Sequence, residues 1–325
     1  MIPSARLRQV ERAVGWVAAA GLGVAALSRL SPNHPHRIGI GLQGIAYWLL
    51  LPAYPLAVWA AFRRFPGLAV TATALAALQT KVARDSLGRD RPDPLPPGST
   101  RLRLVTANVL LSNPVMVELG QALACSDADV IALQELTDDH LAALRRGGLL
   151  GAYPHHILDP EPGFAGSAVL SRLPFASSAV IDVEGSPMTE AVIRVGDGLV
   201  TVLSVHATNP GTGQEEGRWR RQLLFLARYA DDCPTPVVLA GDFNATLDHR
   251  PLRDLLGHRL RDAFSVAGRG LGATWPSWRR PLFPVMRLDH VLVGPGITIH
   301  RVATRESAGS DHHRVEVELA LPAAP

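Results

Sequence analysis

A chain of 325 residues with 47% hydrophobic side chains is long enough for one large domain and a smaller companion, and most of its apolar excess lies before residue 81. The formal charge of +3 comes from scattered arginines, with Lys81 the only lysine, and no run of five or six like charges marks a nucleic-acid tail. Cys125 and Cys233 stand in unrelated contexts without CxxC or Cys/His spacing, which argues against a disulfide or a zinc site and reads as two buried free thiols.

In chain order, Arg6, Arg8, Glu11 and Arg12 precede an almost uncharged run over about residues 13–30, which fits a signal anchor or a spanning helix. A stronger apolar run covers residues 38–62, with Trp48, Tyr54 and Trp59 inside it and Arg63-Arg64 directly after. At about 1.5 Å per residue it is long enough to cross roughly 30 Å of hydrocarbon, so a spanning helix is predicted there. The third run, about 65–81, is Ala/Thr-rich and fits either a third crossing or an interfacial helix. Parity then sets the side of the membrane on which the rest of the chain lies. With the N-terminal arginines and Arg63-Arg64 inside, three crossings put the remainder outside the cytoplasm, the expectation adopted for this multi-pass region of residues 1–88; two crossings would keep it inside. Residues 89–100, RDRPDPLPPGST, read as a stiff Pro-rich linker to a soluble domain over 101–325.

That domain opens on a strand over Leu102 to Val109 that ends at Asn108, followed by helical spacing over Val115 to Ala124. A buried strand, Asp129 to Glu135, ends in Gln134-Glu135. Thr137-Asp138-Asp139 has the look of a helix start. A short strand at Ala168 to Leu170 precedes a hairpin of Glu190 to Val195 and Leu199 to Ala207 around Gly196-Asp197-Gly198, and the second arm ends in His206. A helix over Glu216 to Tyr229 leads to PVVLAGDFNATL, whose apolar run carries Asp242 and Asn244 out of the core. In extended backbone, side chains two apart point the same way, which predicts a carboxylate beside an amide. Asp289 lies within the strand Arg287 to Val293, and Ser310-Asp311-His312-His313 leads into a last strand. Each polar residue alone has a structural explanation. Strand after strand ending in Asn, Glu, His or Asp is a pattern that builds a site at one mouth of a sheet.

TANV with Asn108, LQE with Glu135, GSAVLSRLP, SVHA with His206, AGDFN, TWP, RLDHV with Asp289, and SDHH with Asp311 and His312 succeed one another in an order that resembles the endonuclease/exonuclease/phosphatase superfamily, the DNase I-like phosphoesterases. The resemblance covers roughly residues 101–320. It implies a DNase I-like four-layer α/β sandwich, preceded here by the transmembrane helical region. It also implies hydrolysis of a phosphodiester or phosphomonoester with Mg²⁺ or Mn²⁺, held through Glu135 with Asn108 and Asp311. By the same resemblance, His312 is the general acid or base oriented by Asp289, and Asp242 positions or activates water. Asn244 donates to a phosphate oxygen and His206 stabilises the transition state, both touching substrate. Glu190, His313 and Arg287 are weaker candidates: a strand-edge acid, a side chain facing away from the site, and a fold support.

The region Arg269 to Arg287, with Trp275, Trp278, Arg279 and Arg280, is the one Arg/Trp cluster, suited to the core or to lipid headgroups. A phosphate ester presented at the membrane, such as a lipid-linked headgroup, is therefore the expected substrate. The alternatives are a membrane-anchored Mg²⁺-dependent nuclease, with nucleic acid not favoured, and a non-catalytic membrane scaffold, which would have shed Glu135, His206, Asp242, Asp289 or His312.

Overall fold

A computed structural model of the protein describes residues 5–30, 37–211, 215–277 and 283–321. The chain separates into a helical unit, Met1–Ser86 with Thr246–Arg250, and a second unit, Leu87–Ala245 with Pro251–Pro325.

The helical unit is built from α1 (Ala5–Leu30), α2 (Arg37–Gly44), α3 (Ala46–Leu50), α4 (Ala53–Phe62) and α5 (Pro66–Ser86). Small residues let the helices approach: Ala19 and Ala60 pack with Phe65 and Leu68, and Ala25 and Ala26 with Leu50 and Val82. α1 is, among the described residues, the one helix long and apolar enough to cross a membrane by itself. The straight span predicted over 38–62 is instead broken, with a 75° bend between Ile38–Gly44 and Ala46–Phe62. Gly44 borders the break, and Pro52 and Pro55 lack amide donors farther along, so the sequence resists one continuous helix. α5 is a continuous helix of 21 residues, longer than the predicted run. Arg29, near the end of α1, is buried and bonds Asp85 near the end of α5 at 3.1 Å, while Glu11 near the start of α1 pairs with Arg63 at the end of α4. Hence α1 and α5 run parallel.

The second unit contains β1 (Gly88–Arg89), β2 (Thr100–Asn108), α6 (Met116–Ala124), β3 (Val130–Gln134), α7 (Asp138–Arg146), α8 (Leu149–Ala152), β4 (His155–Asp159), β5 (Ser167–Ser171), β6 (Phe175–Val183), β7 (Ser186–Val195), β8 (Gly198–His206), α9 (Glu215–Asp232), β9 (Val237–Asp242), α10 (Arg250–Leu256), β10 (Arg261–Asp262), α11 (Ala263–Ala267), β11 (Arg269–Gly270), β12 (Asp289–Val293), β13 (Thr298–Glu306) and β14 (His313–Leu321). Two six-stranded mixed sheets result, ordered β13-β14-β2-β3-β5-β4 and β10-β12-β9-β8-β7-β6. Leu104, Val130, Ala132 and Val169 of the first share one core with Ile193, Val202, Val238, Ala240 and Val291 of the second. The alternate residues of the first sheet, Val105, Ile131, Leu133 and Leu170, pack under Leu119, Leu123 and Leu144 of α6 and α7. Burial on both faces is why these strands read as unbroken apolar runs. Helices outside two facing sheets give the four-layer DNase I-like sandwich.

Topology gathers the strand ends. β2 and β3 are parallel, as are β8 and β9, so Asn108, Gln134, His206 and Asp242 all lie at carboxyl ends. β12 starts antiparallel to β9 with Asp289 opposite Asp242, and β14 starts one residue after His312. Asp289 is thus the first residue of its strand rather than an interior one. The Pro-rich segment is not a bare spacer: Gly88 and Arg89 pair with Gly270 and Arg269, and Asp93 exchanges hydrogen bonds with Ile299. Both cysteines are free, but Cys125 is exposed and Cys233 half-buried, because each lies at or just beyond a helix end and not in the core.

Gly241 permits the last turn of β9. Its φ of +152° and a Cβ position only 1.9 Å from the Val205 carbonyl oxygen exclude any side chain. Gly241→Ala is expected to lower the melting temperature, with a cost of about 1–3 kcal/mol from backbone strain before any displacement of β8. An unchanged denaturation curve would contradict this.

Candidate active site

Three side chains form the centre. Asn108 donates from Nδ2 to Glu135 Oε1 at 2.9 Å and to Asp242 Oδ2 at 3.2 Å, tying the two sheets' carboxylates together. Glu135 comes directly after β3 in a left-handed conformation, φ 61°, and its Oε2 accepts from the Leu111 amide at 2.7 Å. A non-glycine residue held there is strained, the kind of backbone outlier that clusters at functional sites. Asp242 is buried, and its Oδ1 accepts the Asn244 amide at 2.8 Å.

Two imidazoles face Asp242 Oδ2. His312 Nε2 stands 3.8 Å away and His206 Nε2 3.9 Å, with His206 also 3.9 Å from Glu135 Oε1. The opposite ring nitrogens fix both tautomers. His312 Nδ1 donates to Asp289 Oδ2 at 2.8 Å, and His206 Nδ1 donates to the Phe164 carbonyl at 2.8 Å, since neither oxygen can donate in return. Separations of 3.8–3.9 Å are too long for direct hydrogen bonds and leave Nε2 of each ring facing the carboxylate.

Electrostatics divides the roles. Burial, opposed by His312 and reinforced by Asp289, pushes the Asp242 carboxyl up to about 6. Burial works against a charged His312, but the Asp289 and Asp242 carboxylates outweigh it and push the imidazole up to about 10. Asp242 is therefore poised to take a proton near neutral pH, and His312 to carry positive charge.

The residues fit a divalent cation. Asp289 Oδ1 is buried and has no hydrogen-bond partner among the described residues, and single ligand atoms of Asp242, Asp289 and His312 all lie within 4.8 Å of one another. Buried carboxylate oxygens are hard donors of the kind Mg²⁺ and Mn²⁺ prefer. Glu135 and Asn108 adjoin this trio through Asp242.

Other predicted residues are placed differently. Asp311 Oδ2 accepts from Trp275 Nε1 at 3.0 Å, and no hydrogen bond brings it to Glu135 or Asn108. Asn244 lies beyond the end of β9 at φ 47° with Nδ2 donating to the Ala207 carbonyl, so the extended-strand argument for its direction does not hold. Glu190 is held by the Tyr229 hydroxyl, not by His206. His313 bonds the Thr274 carbonyl through its amide. Arg287 pairs with buried Asp262 at 3.1 Å behind β12, a structural position. Trp278, Arg279 and Arg280 of the Arg/Trp cluster lie outside the described residues.

Three further contributors carry no signal in their residue type alone. Thr274 Oγ1 accepts the Asp289 amide at 3.2 Å, Ser310 Oγ accepts the His312 amide at 3.0 Å and donates to the Asn108 carbonyl, and His140 Nδ1 donates to the Glu135 carbonyl at 3.1 Å. Ser and Thr hydroxyls that orient backbone are indistinguishable in sequence from turn residues, although Thr274 stands in the TWP motif and Ser310 in SDHH.

Two packed mixed sheets with a mouth of Asn, Glu, His and Asp define a phosphoesterase of the metal-dependent type. Residues 105–312, more than half of the chain, match the model of the endonuclease/exonuclease/phosphatase family, and the chain belongs to that family. Its members are hydrolases of phosphoester bonds and typically need a divalent metal. No curated protein matches the chain. Among solved structures, an endonuclease/exonuclease/phosphatase family protein from Bacteroides thetaiotaomicron is 18% identical with a TM-score of 0.57, over 69% of this chain and 99% of that one. A humanized D. rerio TDP2 is 17% identical with a TM-score of 0.54, over 67% of this chain and 98% of that one. A mannosyl-6-phosphatase from Bacteroides thetaiotaomicron is also 17% identical with a TM-score of 0.54, over 67% and 99%. At these identities the likeness speaks for the fold.

Proposed function

We propose that the protein is a metal-dependent phosphoesterase fixed to a membrane by its helical unit, with a phosphate ester presented at the bilayer, such as a lipid-linked headgroup, as substrate. The observation that carries the chemistry is Asp242 Oδ2 facing two imidazoles, in reach of Glu135 through Asn108. In this reading Asp242 Oδ2 takes the proton of the attacking water. His312, oriented by Asp289, and His206, oriented by Phe164, donate to phosphoryl oxygens from Nε2 as charge builds. Asn244 serves the phosphate from the rim. Glu135, Asn108, Asp242 and Asp289 would hold Mg²⁺ or Mn²⁺, with Asp311 a more distant contributor, and the ion would supply positive charge against the phosphoryl oxygens.

Membrane attachment is supported by where apolar surface remains. Thirteen of the eighteen exposed large hydrophobic residues among those described, including Val14, Val17, Val24, Leu27, Val58 and Val70, belong to the helical unit, a distribution that lipid would cover. In this reading α5, which is not apolar enough to pass for a span by itself, is the third pass, and its course parallel to α1, with Arg8, Glu11 and Arg63 near one end, puts the N-terminal arginines inside and the second unit outside the cytoplasm. The bilayer then holds both enzyme and ester, raising their effective concentration.

The test is the detergent-solubilised full chain with Mg²⁺ or Mn²⁺ on lipid phosphates, soluble phosphodiesters and single- and double-stranded DNA. Phosphate or headgroup release from the lipids is expected. Efficient DNA cleavage with lipids untouched would overturn the substrate assignment in favour of the nuclease. A C-terminal alkaline-phosphatase fusion is expected to be active in cells, and an inactive one would place the second unit in the cytoplasm.

A further inference from the structure

Just after Asp242 and Asn244 the chain leaves the second unit: Thr246–Arg250 belongs to the helical unit, and Pro251 returns to the second. Segments between regular elements normally run over the surface, where water satisfies their polar groups. Here Thr246, Asp248 and His249 are all buried, three polar side chains within four residues. Their hydrogen bonds are made inside the helical unit. Asp248 Oδ1 accepts from Nε of buried Arg29 at 2.6 Å, and Arg29 Nη2 reaches on to Asp85 Oδ2 of α5 at 3.1 Å. His249 Nδ1 accepts the Thr246 amide at 2.8 Å, and its Nε2 donates to the Ile40 carbonyl of α2 at 3.0 Å. Three helices, α1, α2 and α5, thus hold one short segment.

That grip exceeds what tethering requires. A flexible linker is enough to keep an enzyme beside a bilayer. A buried guanidinium is costly to desolvate, whereas a charge-assisted bond at 2.6 Å fixes direction and distance in a way that apolar contact does not. Upstream, the same stretch of chain carries Asn244 at φ 47°, whose amide donates to Asp242 Oδ1. Its Nδ2 donates to the Ala207 carbonyl at 2.8 Å, which leaves a second Nδ2 hydrogen for a phosphate oxygen. Only Ala245 separates Asn244 from the held segment, and its carbonyl accepts from His290 Nε2 at 2.9 Å. A shift at Thr246 therefore has little slack in which to die out before Asn244.

We propose that Arg29 and Asp248 are a positioning pair: by fixing Thr246–Arg250, the helical unit sets the Asn244 side chain for the phosphate, and so takes part in turnover as well as attachment. The inference rests on the phosphoesterase reading of Asp242 and Asn244. Neither Arg29 nor Asp248 touches the substrate in this account. Their effect passes along the chain through Asn244.

A double-mutant cycle tests it on the detergent-solubilised full chain with Mn²⁺ and bis-p-nitrophenyl phosphate. Asp248→Leu removes the acceptor at similar volume and leaves Arg29 paired with Asp85. It is expected to lower kcat/KM about tenfold, less than a misplacement of about 1 Å can cause. Asp248→Asn, whose Oδ1 still accepts from Arg29 Nε, is expected to stay within about threefold of the unaltered chain. In an Asn244→Ala background the effect of Asp248→Leu is expected to shrink to about twofold or less, because the side chain it positions is gone. If Asp248→Leu does not fold, Arg29→Met combined with Asp248→Leu replaces it, since Asp85 then keeps Lys81 at 3.2 Å. A pair that only stabilises the fold would lower the denaturation midpoint and leave kcat/KM of the folded protein unchanged, or would act equally in both backgrounds. Either result overturns the inference, as does an Asn244→Ala variant that turns over at the unaltered rate. Turnover without an Asp248 effect sinks the positioning pair alone, whereas no turnover of this diester or of lipid phosphates by the unaltered chain sinks the phosphoesterase reading with it.

Discussion

His312→Asn is expected to lower kcat/KM for phosphoester hydrolysis by about 10²–10⁴-fold, the range for losing a positioned proton donor. The replacement is chosen because an amide can still donate to Asp289 Oδ2, as Nδ1 does now, while supplying no titratable proton at the position of Nε2. The fold is therefore expected to survive while the chemistry is lost, and the denaturation midpoint measured beside the kinetics separates the two. Asp289→Asn should reproduce much of the defect, because it removes the carboxylate that holds the tautomer and raises the basicity of His312 and, with it, one of the oxygens placed to hold the cation. Activity within twofold of the unaltered protein in both variants would remove His312 from the mechanism.

The second large effect lies behind the site. Arg287 and Asp262 are buried at 6% and 3% relative exposure, His290 Nδ1 meets Asp262 Oδ1 at 3.1 Å, and the guanidinium lies 4.7 Å from the Phe264 ring centroid. Arg287→Met keeps much of the stem's packing but leaves a buried carboxylate without its strongest partner, a loss of about 3–5 kcal/mol. Burial would raise the Asp262 pKa, but Arg287 and His290 outweigh it and hold the carboxyl well below the usual carboxylate range. A depressed folded value means that the stabilisation is complete above about pH 4 and is lost as pH falls through the folded value. The unaltered protein is therefore expected to lose part of its stability on acidification, and Arg287→Met to lose less over the same window because its Asp262 is no longer held down. Urea midpoints at pH 7 and pH 3 check both. A neutral Arg287→Met at pH 7 would show that this knot does not hold β12 and Asp289 in place.

Legibility differs by mechanism. β2, β3, β8 and β9 are visible as apolar runs because both of their faces are buried, and their polar ends mark Asn108, Glu135, His206 and Asp242. β6 is not: FASSAVIDV sits at a sheet edge with mostly exposed residues and has neither a run nor a clean alternation. β4 and β13, each at the edge of the other sheet, are hidden for the same reason. Within the site, residue types on strand ends are readable, but direction past a strand end is not. Gly241 at φ +152° and Asn244 at φ 47° turn the backbone, so a period of two no longer says where Asn244 points. Asp311 illustrates the same limit, because its engagement by Trp275 depends on a loop 36 residues away. The helical unit divides similarly: α1 is plain from its apolar length, whereas the bend after Gly44 depends on how the helices pack.

The most direct test of the account is product release from a phosphoester by the full chain, monitored as metal is withdrawn and restored, in the unaltered protein and in Asp242→Asn. Hydrolysis that stops with EDTA, returns with Mg²⁺ or Mn²⁺, and falls by at least about 10²-fold in Asp242→Asn is the predicted result. Hydrolysis that persists in EDTA, or that Asp242→Asn leaves intact, would contradict it.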